Sequence, residues 1–268
     1  MEAKDMNRRA LLAGVGSVAV AGSLASCGAQ AASFSTDRTQ AILDKIARTD
    51  AGFGEACEPV QAQPASSTAM FSITKPGSFY LTQNVVAAAG MTGIEVLAAH
   101  VVIDLNGYSV IAGPNAAGLA GGTGISSKGE DVTVYNGSVV GPWDFGVNFE
   151  GSSRCVLWDV AVHGASSAGI VGGDEINIYD CESYGVKGYG FLTRGIRGLV
   201  EHGGAWECGV GFAATGSQNL FVSNCATACA TPFDLGSGNS WGPICNLVGV
   251  GDISAVLGSG HPDANDIY

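Results

Sequence analysis

Charge is scarce in this chain. Asp, Glu, Lys and Arg make up 13% of its 268 residues, and the basic ones are the scarcer half, 12 against 24 acidic. The resulting net charge of −12 argues against nucleic acid as a partner, because a phosphate backbone is bound by a basic face. It argues equally against unaided binding of a polyanionic glycan. A polyuronate would need a local basic patch or a bridging divalent cation such as calcium, and no other cofactor is implied. Proline is scarce too, at 8 residues. No Cys-x-x-Cys pair and no Cys/His spacing of a metal site occur. A long apolar run is missing as well: residues 10–25 are too few, and too rich in small side chains, for a good membrane span. What is abundant is apolar character, 46%, and glycine, 41 residues. That balance excludes disorder, which goes with low hydrophobicity and high charge, and suits many short strands joined by tight turns.

The N-terminus reads as an address. Asn7-Arg8-Arg9-Ala10-Leu11-Leu12 resembles a twin-arginine export signal, and Leu24-Ala25-Ser26-Cys27 resembles a lipobox, where a lipoprotein is cleaved and diacylated on Cys27. The rival is ordinary cleavage after Ala29-Gln30-Ala31. Residues 1–27 are therefore read as an export signal. The mature protein is expected to be periplasmic or a membrane-anchored lipoprotein, touching the membrane through its lipid alone. Without Cys27, seven cysteines remain: Cys57, Cys155, Cys181, Cys208, Cys225, Cys229 and Cys245. An odd number in an oxidising compartment leaves at least one thiol. Residues 28–69 read as a linker and a short N-terminal capping helix. That helix is expected over 35–48, with Ile42, Leu43 and Ile46 as its apolar stripe and Ser35, Thr36 or Asp37 as its N-cap.

From residue 70 the pattern changes. Phe71 to Leu81 alternates around Pro76-Gly77, as a hairpin or cap strand does. After residue 130 the chain repeats itself. Val132-Thr133-Val134-Tyr135-Asn136, Cys155-Val156-Leu157-Trp158-Asp159, Ile176-Asn177-Ile178-Tyr179-Asp180, Gly198-Leu199-Val200-Glu201-His202 and Leu220-Phe221-Val222-Ser223-Asn224 begin alike. Their fifth residues advance by 23, 21, 22 and 22. A second landmark, Gly146-Val147, Gly169-Ile170, Gly190-Phe191, Gly211-Phe212 and Pro232-Phe233, advances by 23, 21, 21 and 21. The Leu-x-x-Leu-x-Leu spacing of leucine-rich repeats is absent, and no period has room for a helix. Each period is one coil of short strands stacked on the last at about 4.8 Å. The fold class is therefore all-β, a single-stranded right-handed parallel β-helix over residues 70–268, of about five to seven coils. Val134, Leu157, Ile178, Val200 and Val222 are expected to form an inward ladder, and the helix at 35–48 to cover the first open edge.

Ile73-Thr74-Lys75-Pro76-Gly77-Ser78-Phe79-Tyr80-Leu81, followed by Val102-Ile103-Asp104-Leu105-Asn106-Gly107, resembles the opening of bacterial right-handed parallel β-helix repeat proteins. The resemblance covers roughly residues 70–250 and implies the pectate-lyase-like fold. It implies no single activity, because that fold hosts lyases, hydrolases, epimerases and proteins without an assigned reaction. The triple-Asp and Gly-His-Gly pattern of polygalacturonases is absent; Val200-Glu201-His202-Gly203-Gly204 only echoes it.

Stacking turns sequence distance into proximity. The column Asn136, Asp159, Asp180, His202, Asn224 and Asn246 is either a polar turn ladder or a catalytic line. Ionised Asp cannot donate along a ladder, so stacked Asp159 and Asp180 repel unless one binds a proton or a cation. His202 beside Asp180 relieves part of this. Two carboxyls about 5 Å apart also match a retaining glycosidase. A column four residues on holds Val140, His163, Tyr184, Trp206 and Ala228, in which His163 or Tyr184 could take a proton. Trp158, Tyr179 and Glu201 form a further outward column beside Tyr135. Its aromatics, with Trp206, would stack on sugar rings or simply pack the surface. Lys187, Arg194 and Arg197 are the basic cluster that a uronate lyase needs to neutralise its substrate's carboxylate, or solvated turn residues. Cys208 and Cys229, 21 apart, fall in register for an inter-coil disulfide. Cys155 aligns with inward positions. The expected function is an exported carbohydrate-active protein, a lyase or hydrolase of an extracellular polysaccharide or oligosaccharide. The competing reading is a non-catalytic β-helix for glycan binding or surface attachment.

Overall fold

A computed structural model describes residues 57–113 and 122–242, together with the backbone of Ile244–Asn246 and Asn265–Ile267. The export block, Cys27 and the helix expected over 35–48 lie outside the described residues. The described chain is a parallel β-helix whose only helical turn is Val60–Ala62. One sheet has eight strands, one per coil. In stacking order they are Ala69–Ile73, Thr92–Val96, Thr123–Ser127, Phe145–Ser153, Ala168–Asp174, Tyr189–Thr193, Val210–Ala214 and Thr231–Asp234. The other, broader sheet has sixteen strands, and most coils cross it in two halves, such as Leu199–Glu201 and Gly204–Trp206. Every strand pair is parallel.

There are eight coils rather than five to seven. The first ones escape the sequence pattern because register partners Phe71, Ile94 and Ile125 step by 23 and then 31 residues, so an insertion blurs the period. Ala69–Ile73 and Gly77–Tyr80 do not form a hairpin either. They lie in different sheets, so Pro76-Gly77 turns the chain around the coil instead of folding it back. Glu58–Pro59 already pairs with Phe79 and Tyr80, so the stack starts ahead of residue 70.

Inside the coils, Val134, Leu157, Ile178, Val200 and Phe221 stack in register, all fully buried. Each such side chain contributes roughly 1.5–3 kcal/mol by leaving water. The last rung corrects the expected ladder, because Val222 pairs with Glu201 and Phe221 is the inward residue. This coil is one residue shorter than the Asn224 match suggests. The Gly-Phe landmark, with its step of 21, carried the right count. That landmark has a steric cause. A Cβ on Gly169 would lie 2.0 Å from Ser183 Oγ, and one on Gly146 would lie 2.3 Å from Val162, so the two sheets pinch together on glycine. Beside the pinch, Phe191, Phe212 and Phe233 stack at 4.7 and 5.2 Å.

Three columns of left-handed backbone turn the middle coils. The leading corner holds His100, Asp131, Arg154, Glu175, Arg197 and Gln218. The mid-sheet corner holds Asn136, Asp159, Asp180, His202 and Ser223. The trailing corner holds Gly141, Gly164, Gly185, Glu207 and Ala228. Left-handed φ costs most residues about 1–2 kcal/mol, and least for Gly, Asn and Asp, which hold seven of these sixteen positions.

Candidate functional site

The mid-sheet corner is the polar column expected from the sequence, and it faces solvent. Asp159, Asp180 and His202 are exposed, each on a backbone whose φ lies near +50° (52°, 50° and 55°). The left-handed turn swings the side chain off the ladder of the core. Two assignments are corrected by the shorter coil. Ser223, not Asn224, follows His202 in the column, and Asn224 is buried, accepting from Gly203 N–H and donating to Val200 C=O. Asn246 pairs through its backbone with Ile267, which pairs with Ala226, so it falls on the second half-sheet and not on the corner.

Asp180 is the hub of the corner. Its Oδ2 accepts from the Trp158 indole N–H at 3.1 Å, and its Oδ1 lies 3.5 Å from His202 Nδ1. Asp159, one coil away, has its carboxyl pushed above the ordinary carboxylate range, chiefly by partial desolvation and then by the charge of Asp180. Among the described residues no group of three or more His, Cys, Asp or Glu side chains is arranged to hold a metal ion.

Either side of the corner lie the outward columns. On the first half, Tyr135, Trp158, Tyr179 and Glu201 are register partners, and the Tyr135 and Trp158 rings stack at 6.2 Å and 22°. Glu201 holds its expected register but is buried between Tyr179 and Val222. On the second half, Val140, His163, Tyr184, Trp206 and Thr227 are partners, with Thr227 where Ala228 was expected. The His163 and Tyr184 rings are tilted at 6.0 Å. Tyr184 donates to Glu207, and that carboxylate holds the phenol's proton above the usual tyrosine range, which makes Tyr184 a poor general base. Trp206 folds back over its neighbour: a Cβ on Gly204 would lie 2.1 Å from Trp206 Cη2 and 2.5 Å from Cζ3. The indole therefore lies across the bare backbone of the outward face. Gly204 is the residue that sequence reasoning missed, and its place two before Trp206 on a strand was the available signal.

No family model, curated protein or solved structure matches this chain.

The three cations do not stand together. Lys187 is on the turn between Glu182–Tyr184 and Tyr189–Thr193, whereas Arg194 and Arg197 follow Tyr189–Thr193, on the other turn of the coil. Arg194 donates to both carboxylate oxygens of Glu150 at 2.8 and 2.9 Å, and Arg197 donates to Glu175 at 3.0 Å. Both guanidiniums are thus committed to carboxylates of other coils. Cys155 is buried, 1% exposed, as its inward alignment implied. Among the described residues no helix is long and apolar enough to cross a membrane.

Proposed function

We propose that the chain is an exported glycan-binding β-helix whose broad sheet offers aromatic side chains on its outward face as platforms for sugar rings. The observation that carries this reading is the Trp206 indole lying across Gly204, beside Tyr184 on the next coil. An indole laid flat on a sheet presents an apolar face of the kind that stacks on the C–H face of a sugar. The surrounding charge is acidic, with Asp159, Asp180, Glu182 and Glu207 all exposed, which favours a neutral glycan over a polyuronate. The commitment of Arg194 and Arg197 to Glu150 and Glu175 argues against uronate-lyase chemistry, because a lyase needs an available cation at the substrate carboxylate. Retained in the same reading are export and a lipid on Cys27, which rest on the N-terminal motifs. Replacing Cys27 by Ser should move the protein from the membrane fraction to the soluble fraction.

A hydrolase is the second reading, favoured by one observation. Partial burial and then the charge of Asp180 raise the Asp159 pKa, while Asp180 accepts a separate hydrogen bond, the direction in which a glycosidase separates its acid from its nucleophile. A panel of neutral and acidic polysaccharides, assayed for retention, new reducing ends and unsaturated products, separates the readings. Retention without products, weakened about tenfold (about 1.4 kcal/mol) by Trp206→Ala, supports binding. Reducing ends lost in Asp180→Asn support hydrolysis, and unsaturated products overturn both.

A further inference from the structure

Cys208 and Cys229 occupy the same place on successive coils. Their strands are in register, Trp206 with Thr227. Their sulfurs have matching surroundings: Cys208 Sγ lies 3.5 Å from Ser183 C=O and 3.3 Å from Trp206 C=O. Cys229 Sγ lies 3.5 Å from Ala205 C=O and 3.6 Å from Thr227 C=O. Ser183 and Ala205 are themselves register partners. Each sulfur also stands over a pinch-point glycine, 3.2 Å from a Cβ built on Gly190 and 3.4 Å from one built on Gly211, and those glycines too are one coil apart. Two sulfurs displaced by one coil lie on backbones about 4.8 Å apart, inside the Cα separation that a disulfide spans. The two thiols are electrostatically linked, each shifting the other's proton affinity.

We propose that Cys208 and Cys229 are a dithiol that closes to a disulfide by exchange with a small-molecule or protein disulfide, stapling the seventh coil to the eighth. Cys229 is the half-buried partner and Cys208 the buried one, 3% exposed, so attack begins at Cys229. The Cys208 thiol stabilises the Cys229 thiolate, bringing its pKa down to about 7, while the same link and burial push Cys208 up. The Cys229 thiolate attacks one sulfur of the incoming disulfide, whose S–S bond breaks and releases one thiolate. Cys208 then gives up its proton and attacks the Cys229 sulfur of the mixed disulfide, expelling the second thiol. Two protein thiols are oxidised and one external disulfide is reduced to two thiols. Closure fixes the turn that carries Trp206 and Glu207, which immediately precede Cys208.

The test is incubation of the folded full chain with oxidised glutathione, followed by alkylation, intact mass and peptide mapping without reduction. The expected product has lost two hydrogens, yields one linked peptide pair containing Cys208 and Cys229, and melts a few degrees higher. Cys208→Ser should stop at a glutathione adduct on Cys229, and Cys229→Ser should leave Cys208 unmodified. Cys229 should be alkylated before the buried Cys155 and Cys181, with a midpoint near pH 7. The proposal is overturned if both thiols of the wild-type chain stay free and alkylatable at equilibrium, or if Cys229 is recovered linked to Cys225 instead.

Discussion

The leading and mid-sheet corners use the same backbone and opposite electrostatics. Both are single residues in left-handed conformation, repeated once per coil. Down the leading corner, charge alternates from Asp131 to Arg154 to Glu175 to Arg197. His100 lies 3.4 Å from Asp131, Arg154 donates to Asp131 and Glu130, and Arg197 donates to Glu175. Down the mid-sheet corner, Asp159 and Asp180 stack carboxylate on carboxylate, and Asp180 is relieved by the Trp158 indole and by His202, the next residue of the same corner. The charges of the leading corner pair with one another. The mid-sheet corner keeps an uncompensated acid beside aromatic rings. The repeat alternates charge at one corner and not at the next, so the two corners carry unequal electrostatic cost.

The largest effect should come from what both corners hang on. Leu157→Ala removes a fully buried rung and should cost about 3 kcal/mol in urea unfolding. The comparison requires both corners to be lost in one transition, and separate transitions would break it. Next come the corners themselves. Asp159→Val and Glu175→Val each place a β-branched residue at positive φ and should each cost roughly 1–2 kcal/mol, seen as a lower thermal midpoint. Equal losses mean the shared backbone dominates; a loss at one corner alone means it does not.

Charge should then split the corners by sign. Asp159→Asn removes repulsion and adds an amide that both donates and accepts, so stability should rise by a few tenths of a kcal/mol at neutral pH. Glu175→Gln should lower it by no more than about 1 kcal/mol, and less in high salt, because its pair with Arg197 is exposed. The pH dependence of the first effect has a definite direction. Because folding raises the Asp159 pKa, ionisation costs the folded state more than the unfolded one. The advantage of Asp159→Asn should be complete above the raised value, shrink as pH falls through it, and vanish below the ordinary 3.8. An advantage that persisted at low pH would show that packing, not charge, is responsible.

Much of this architecture is legible in the amino-acid order alone. Two landmarks with one period define the coil, and alternation within Val156–His163 assigns Leu157 inward and Trp158 and His163 outward. Other parts are not legible, for identifiable reasons. Asn224 imitates the corner type so well that it captures the register from Ser223, although a serine can also turn left-handed. The basic residues look clustered because Lys187, Arg194 and Arg197 are near in sequence, yet a coil is so short that ten residues cross from one turn to another. The leading corner carries no compositional signal, because Asp131, Arg154, Glu175, Arg197 and Gln218 have no residue type in common to all, only a backbone angle.

The sequence by itself determined the period, the parallel stack, the apolar ladder and the mid-sheet polar column. Each follows from local chemistry: apolar alternation for the ladders, glycine where two sheets pinch, and turn-forming types at the mid-sheet corner. Only the tertiary structure decided which way the columns face and what each side chain meets there. Outward or inward at a corner is set by the left-handed turn. Partners such as Trp158 for Asp180, Glu150 for Arg194 and Cys208 for Cys229 lie 22, 44 and 21 residues away along the chain. Stacking brings such pairs together, and stacking is a property of the closed coil, not of any segment within it.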